Sequence, residues 1–323
     1  MKMDMELEEF LSYCQMQRRA VKTIQSYEQS LRMLAMYLKG EHELFSFKDV
    51  KEKHMAAYIT YLQERGKYTV TSNASSRKIN FPENRTDYKE GISGVTINNY
   101  LRNLNVFFNY LVAGRYIRSS PLKRIKPLPV EEPHNEYISE GDFKRLLQSL
   151  NVAIFAEYRD SVIIQLLYDT GMRIGETLAS KAECLDLHSC SLFLPAEITK
   201  GKKSRTVFFS RQTAQELKHW LKYKDRYRDS EYIFCTNLGK PLDIRVFGTN
   251  FRKYCGKLGI RNIHPHSLRH SFARSFLMHG GNIYTLSRLM GHSSVQVTEQ
   301  AYLDLTEKDL GKMYLENSPI ANL

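Results

Sequence analysis

The chain has 323 residues, 42% of them apolar and 11% aromatic, enough to fill two hydrophobic cores. Its 47 Lys and Arg against 35 Asp and Glu give a net charge of +12, spread over both halves, which favours a polyanionic partner and excludes a detachable basic tail as the source. The five cysteines are odd in number, scattered and without a CxxC pair, which excludes a disulfide framework and a zinc knuckle and fits a reducing cytoplasm. No apolar run approaches the ~18 residues of a membrane helix, and the first residues lack a signal peptide's apolar core, so no membrane partner and a cytoplasmic location are expected.

In the first part of the chain, Leu7, Phe10, Leu11, Ile24, Tyr27, Leu31, Leu34 and Leu38 recur at intervals of three and four. This predicts two helices broken near Ala20–Thr23. A third helix is expected from about Asp49 to Arg65 and a fourth from Thr96 to Ala113, giving a small helical domain over residues 1–120. Residues 69–94 interrupt it with a polar stretch that holds Pro82, Gly91 and Gly94 and keeps no period. That stretch reads as an inserted loop: Arg77, Lys78, Arg85 and Lys89 would suit a phosphate backbone, and a solvated surface insertion fits as well. Pro121, Pro127, Pro129 and Pro133, with Lys123, Arg124 and Lys126 among them, predict a stiff basic linker over 121–138. The second domain, 139–323, opens at Ser139, whose spacing to Asp142 resembles a capping box.

Within this domain an apolar helix over 162–168 ends at Thr170-Gly171, and Met172-Arg173-Ile174-Gly175-Glu176 begins another. A helix start favours an anion and Arg173 adds a fork of donors, while an ordinary Arg173–Glu176 ion pair is the alternative, and both can hold. Strands at 191–195 and 205–209 predict a hairpin with Lys200, Lys202 and Lys203 at its tip, where a lysine can protonate a leaving oxygen or simply remain solvated. Helices follow at 212–223 and 243–258, with a short strand at 231–234 between them. Last come His264-Pro-His266-Ser-Leu-Arg269-His270, Gly291-His292 and Tyr302, polar groups separated by apolar helix faces. His266 and Arg269 fall on one face at i,i+3 and can share an anion, with Tyr302 as a nucleophile; two amphipathic helices bearing surface histidines are the plainer alternative. A zinc site is not expected, because the His266–His270 spacing lacks the glutamate of the zinc protease motif and has Ser267 instead.

Taken in order, Arg173 in Thr-Gly-Met-Arg-Ile-Gly-Glu, Lys200 on a hairpin, His266-Ser-Leu-Arg269-His, Gly-His292 and Tyr302 resemble the tyrosine recombinase (phage integrase) family over nearly the whole chain. The resemblance implies a mainly α fold with a small β component: an N-terminal helical core-binding domain and an α+β catalytic domain that together clamp DNA. It further implies that Arg173 and Arg269 bind the scissile phosphate, Lys200 protonates the 5′ oxygen and His266 assists proton transfer. His292 would hydrogen-bond the phosphate, Tyr302 would form a 3′-phosphotyrosyl bond, and Glu176 would support the arginines. Such chemistry needs no metal, ATP or other cofactor. The implied partners are double-stranded DNA with inverted-repeat core sites and further copies of the chain, or a related recombinase, in a tetramer that passes through a Holliday junction. The DNA-contact candidates are Arg77, Lys78, Lys123, Arg124, Lys126, Lys202 and Lys203. Tyr302 follows His292 by ten positions, one more than in Xer-type members, and the 69–94 insertion is longer than a minimal member needs. A start at the core-binding domain is closer to Xer-type resolvases or the recombinases of simple mobile elements than to large phage integrases. A tail with Leu303, Leu305, Leu310, Met313, Tyr314 and Leu315 is expected to form a helix that docks on a neighbouring protomer or packs in cis. The alternatives from other classes are a non-catalytic DNA-binding protein and a type IB topoisomerase.

Overall fold

The computed structural model describes residues 2–70, 81–130, 136–292 and 294–302, with isolated positions beyond. The chain divides into two compact units, Met1–Glu132 and Pro133–Leu323. All five cysteines are free thiols.

The first unit contains α1 (Lys2–Met16), α2 (Val21–His42), α3 (Glu52–Glu64) and α4 (Gly94–Ala113). The break between α1 and α2 lies at residues 17–20, slightly earlier than the periodicity suggests, because Arg18 turns the chain in the left-handed region at φ 52°. Apolar stripes of the four helices meet around Phe10, Leu34, Leu38, Phe47, Met55, Leu62, Phe107 and Phe108, all with 2% exposure or less. Burial on this scale is the main favourable term in folding, at ~25 cal/mol per Å² removed from water. Buried polar groups fix the helix registers. Asn103 of α4 donates to Ser26 and Ser30 of α2, and buried Glu6 of α1 accepts from Ser46 Oγ at 2.6 Å and the Phe47 N–H at 2.7 Å.

The 69–94 insertion is not structureless throughout. Its C-terminal part carries a 3₁₀ turn at Pro82–Asn84 and returns to the domain through an antiparallel bridge, Gly66 to Gly91. Arg85 stays exposed while pairing with Asp87 at 3.1 Å and lying over the Tyr68 ring at 4.4 Å, and Lys89, also exposed, lies over Tyr88. The expected linker also differs from a free segment over its first ten residues. Leu122 joins the first core, and Asn98 of α4 holds Leu128 by both its N–H, at 2.8 Å, and its carbonyl, at 2.9 Å.

The second unit contains α5 (Glu140–Gln148), α6 (Phe155–Thr170), α7 (Ile174–Ala179), β1 (Leu185–Asp186), β2 (Ser191–Leu194), β3 (Arg205–Phe208), α8 (Arg211–Tyr227), α9 (Ile244–Lys257), α10 (Pro265–Met278), α11 (Ile283–Met290) and α12 (Val295–Tyr302). Ser139 caps α5 by accepting from the Asp142 N–H at 3.0 Å. The strands form one antiparallel sheet, β1-β2-β3, in which Leu192 faces Val207. The two-residue β1 escapes the periodicity, and 231–234 makes only the single bridge Lys181 to Tyr232 instead of the expected strand. Its Ile233 and Phe234 are nevertheless fully buried, and the Ile233 carbonyl accepts from the Trp220 indole at 2.8 Å. Central α6 packs against α8 and α10, which places its C-terminal end beside the polar groups described below. A buried network supports this arrangement: Asp160 of α6, with no exposed surface, accepts from Arg159, from Asn250 and from the Tyr254 hydroxyl of α9.

Candidate active site

Gly171 ends α6 in the left-handed conformation at φ 62°, and a side chain there would run into the Phe272 ring. Glycine is needed to turn the chain so sharply. Arg173 follows as the N-cap of α7, and Glu176 lies one turn on with 2% exposure. The Glu176 carboxylate occupies the helix start, accepting the Arg173 N–H at 3.1 Å, so this six-residue helix does not present an open N-terminus to an external anion. Glu176 also receives the Arg173 guanidinium at 3.1 Å and, from β3, Arg205 in a two-pronged pair at 3.1 and 2.6 Å. Burial alone would raise the Glu176 pKa, but hydrogen bonds and charge from Arg205, with help from Arg173, outweigh it and hold the carboxyl below its ordinary range. Arg173 keeps part of its surface open, whereas Arg205 is nearly enclosed.

Arg269 of α10 is held differently. Only 2% exposed, it donates to the carbonyls of Gly171 at 2.5 Å and Met290 at 2.7 Å, and its Nη2 stands 2.9 Å from His292 Nε2. These carbonyls lie at the C-terminal ends of α6 and α11, where the helix dipoles favour a cation. Gly291, at φ 62°, supplies the left-handed turn that brings His292 back, and its carbonyl lies 3.5 Å from Arg173 Nη2. His292 Nδ1 in turn lies 2.7 Å from Thr298 Oγ1 on α12. Burial, followed by the charges of Arg269, Arg173 and Arg205, pushes the His292 pKa down to about 4.

His266 occupies the first turn of α10 with its ring edge-to-face on His270, centroids 4.7 Å apart. Although part of this residue faces solvent, the surrounding protein and then His270 and Arg269 keep the imidazole neutral, its pKa pushed down to about 4. Lys200, Lys202 and Lys203 are exposed on the turn before β3, and buried Thr199 shapes that turn by accepting the Lys203 N–H and donating to its carbonyl at 2.9 Å. Tyr302 is the last residue of α12, one turn after Thr298; its side chain lies outside the described residues, as do Arg77, Lys78 and most of the tail. Lys123, Arg124 and Lys126 are exposed on the first unit.

The structure therefore gathers Arg173, Glu176, Arg269 and His292 and adds two partners not assigned from the sequence, Arg205 and Thr298. With both histidines neutral, three guanidiniums against one carboxylate leave two net positive charges around a set of aimed donors. Such a centre suits an anion that gains charge during reaction. Arg205 had a local signal: strand alternation places it on the face of buried Val207. Thr298 gave no local sign beyond its spacing of one turn from Tyr302.

Comparison with known proteins gives consistent matches. The sequence pattern of the Phage integrase family covers residues 136–309, and that of the Phage integrase SAM-like domain covers 7–127. Among curated proteins, tyrosine recombinase XerC of Lactobacillus leichmannii is 27% identical over 291 residues, covering 88% of this chain and 96% of that protein. Tyrosine recombinase XerC of Leptospira interrogans is 26% identical over 318 residues, covering 97% and 92%. Among solved structures, the Tn1549 transposon integrase in complex with a circular intermediate DNA matches with a TM-score of 0.73 and 16% identity, covering 96% of this chain and 98% of that one. The XerH site-specific recombinase bound to a palindromic difH substrate, a post-cleavage complex, matches with a TM-score of 0.69 and 20% identity, covering 96% and 83%. At these identities the structural likeness is one of fold.

Proposed function

The chain belongs to the phage integrase family, and from that premise we propose that it is a site-specific tyrosine recombinase, which cuts and rejoins double-stranded DNA by way of a protein-linked phosphate. The observation that carries the reading is the gathering of Arg173, Arg205 and Arg269 near His292, with Arg173 and Arg205 sharing the buried Glu176 carboxylate and His292 on Arg269. Arg173 and Arg269 grip the non-bridging oxygens of the scissile phosphate. Their charge offsets the negative charge that grows as phosphorus becomes five-coordinate. Glu176 and Arg205 hold Arg173 in place from behind.

In cleavage the Tyr302 phenol oxygen forms a bond to phosphorus as the bond from phosphorus to the 5′ oxygen breaks. The phenolic proton passes to His266, whose neutral imidazole has a nitrogen lone pair to receive it, and the departing 5′ oxygen takes a proton from Lys200. The product is a 3′-phosphotyrosyl link. It conserves the phosphodiester's energy, so a 5′ hydroxyl from another strand reverses the step without ATP or metal. His292 accepts from Arg269 in the described geometry, which supports a role in aiming that guanidinium; donation from Nε2 to the phosphate would require the pair to part.

The helical first unit serves as the core-binding domain. Lys123, Arg124 and Lys126 there, with Lys202 and Lys203 beside the catalytic turn, contact DNA phosphates. Inverted-repeat core sites, assembly of four protomers through a Holliday junction, and action in the cytoplasm on mobile or circular DNA complete the proposal. The test is covalent capture: full-length protein is incubated in EDTA with nicked duplex from its own genomic flanks, stopped with denaturant and examined for a protein–DNA adduct. An adduct that forms without metal and disappears in Tyr302→Phe is expected. Tight binding to a verified site with no adduct would overturn the catalytic reading.

A further inference from the structure

The position of one proton can be deduced at His292. Its Nε2 lies 2.9 Å from Arg269 Nη2, and because a guanidinium nitrogen only donates, Nε2 is the acceptor. A neutral imidazole whose Nε2 accepts carries its hydrogen on Nδ1. Nδ1 lies 2.7 Å from Thr298 Oγ1, so the threonine hydroxyl receives that hydrogen. Thr298 has no exposed surface. It therefore fixes the tautomer without competition from bulk water, from a helix that ends at Tyr302 one turn later.

We propose that Thr298 is a positioning residue of the recombination centre: its buried hydroxyl holds His292 in the Nδ1–H tautomer, keeps Nε2 free to aim Arg269, and makes that aim depend on the seating of α12. This rests on the reading of the centre as a phosphate-binding recombinase site. Without the hydroxyl, Nδ1–H would be left buried with no partner, a costly arrangement. The proton then moves to Nε2, which would turn a donor toward the Arg269 donor. Displacement of α12 breaks the same hydrogen bond, so Arg269 is fully oriented only while the helix bearing the nucleophile is docked. The lowered basicity of His292 agrees with this arrangement, since a second ring proton would also face Arg269.

Thr298→Val and Thr298→Ser in the full chain test the inference through two readouts: single-turnover adduct formation on nicked DNA, and nitrogen-15 spectra of labelled histidine, with His292→Gln used to assign the signal. Loss of a partner that orients a functional histidine typically costs ~10–100-fold, so the valine variant should form adduct that much more slowly, and serine should restore it to within about threefold of wild type. The spectra should place the proton on Nδ1 in wild type and Thr298→Ser and on Nε2 in Thr298→Val. A wild-type proton on Nε2 overturns the proposal, as does a valine variant in which only one of the two readouts changes, or neither. If wild-type protein binds its site and forms no adduct, the catalytic reading fails, while the spectra still decide what the hydroxyl does.

Discussion

Replacing Glu176 by glutamine tests how the centre is held together. The carboxylate, 2% exposed, accepts four hydrogen bonds, from the Arg173 N–H and from both Arg173 and Arg205 side chains. Glutamine has nearly the same shape, but it is neutral, its oxygen accepts fewer bonds, and its NH₂ faces other donors. Removing one partner of a buried ion pair costs about 3–5 kcal/mol. Arg173 and Arg205 retain 26% and 13% of their side-chain exposure, so water screens part of the resulting repulsion and about 2–4 kcal/mol is expected. The assay is urea unfolding at a series of pH values. The folded pKa of Glu176 lies below its ordinary value of 4.5, so its contribution to stability is complete above that value and is lost as pH falls through the folded pKa. The gap between wild type and Glu176→Gln should therefore stay constant from pH 7 to 5 and narrow only below about 4.5. A gap under about 0.5 kcal/mol at pH 7, or one that closes between pH 7 and 5, would refute the reasoning.

Other consequences can be measured with the same protein. Lysine in place of Arg269 cannot reach the Gly171 and Met290 carbonyls and His292 together, so Arg269→Lys should slow covalent capture by about 10²–10³ while leaving DNA affinity within a few-fold, as gel-shift titration would show. Asp160→Ala would strand Arg159 and two further donors in the interior, and urea unfolding should record a loss of about 3–5 kcal/mol. Alanine at Gly291 must adopt φ 62° with its Cβ 3.0 Å from Arg205; a stability loss above about 1 kcal/mol and slower cleavage are expected, and unchanged thermal melting would contradict the need for glycine. If Lys123, Arg124 and Lys126 each neutralise a phosphate, changing all three to glutamine should flatten the slope of log affinity against log salt by up to about three, whereas an unchanged slope would remove them from the interface.

Much of this was legible from short-range rules. The three-and-four spacing of Leu7, Phe10 and Leu11 located a buried helix face, Ser139 marked a helix start, and Thr170-Gly171 marked a helix stop. The identity and order of the polar residues that meet at the centre could also be read, because their types and motif context are local features. Their pairings could not. Arg205 reaches Glu176 from 29 residues away, and only the docking of β3 beside α7 decides that this arginine, unlike the nearby lysines, turns inward. Likewise the prolines of 121–129 report a stiff backbone without showing that Asn98 ties it to α4. The strand expected at 231–234 failed for a related reason: its apolar residues signalled burial, but strands also need a neighbour, and residue 181 offers a single bridge.

The partners of Arg269 have a consequence for the newly made chain. Gly171 lies 98 residues before it and Met290 lies 21 after, so the arginine is held only once three separate helices, α6, α10 and α11, have come together. Contacts across such separations form late, because long loops must close before they are rewarded. A nascent or partly unfolded molecule thus carries every reactive side chain without the geometry that makes them dangerous, and competence to break a DNA strand arrives together with the finished fold.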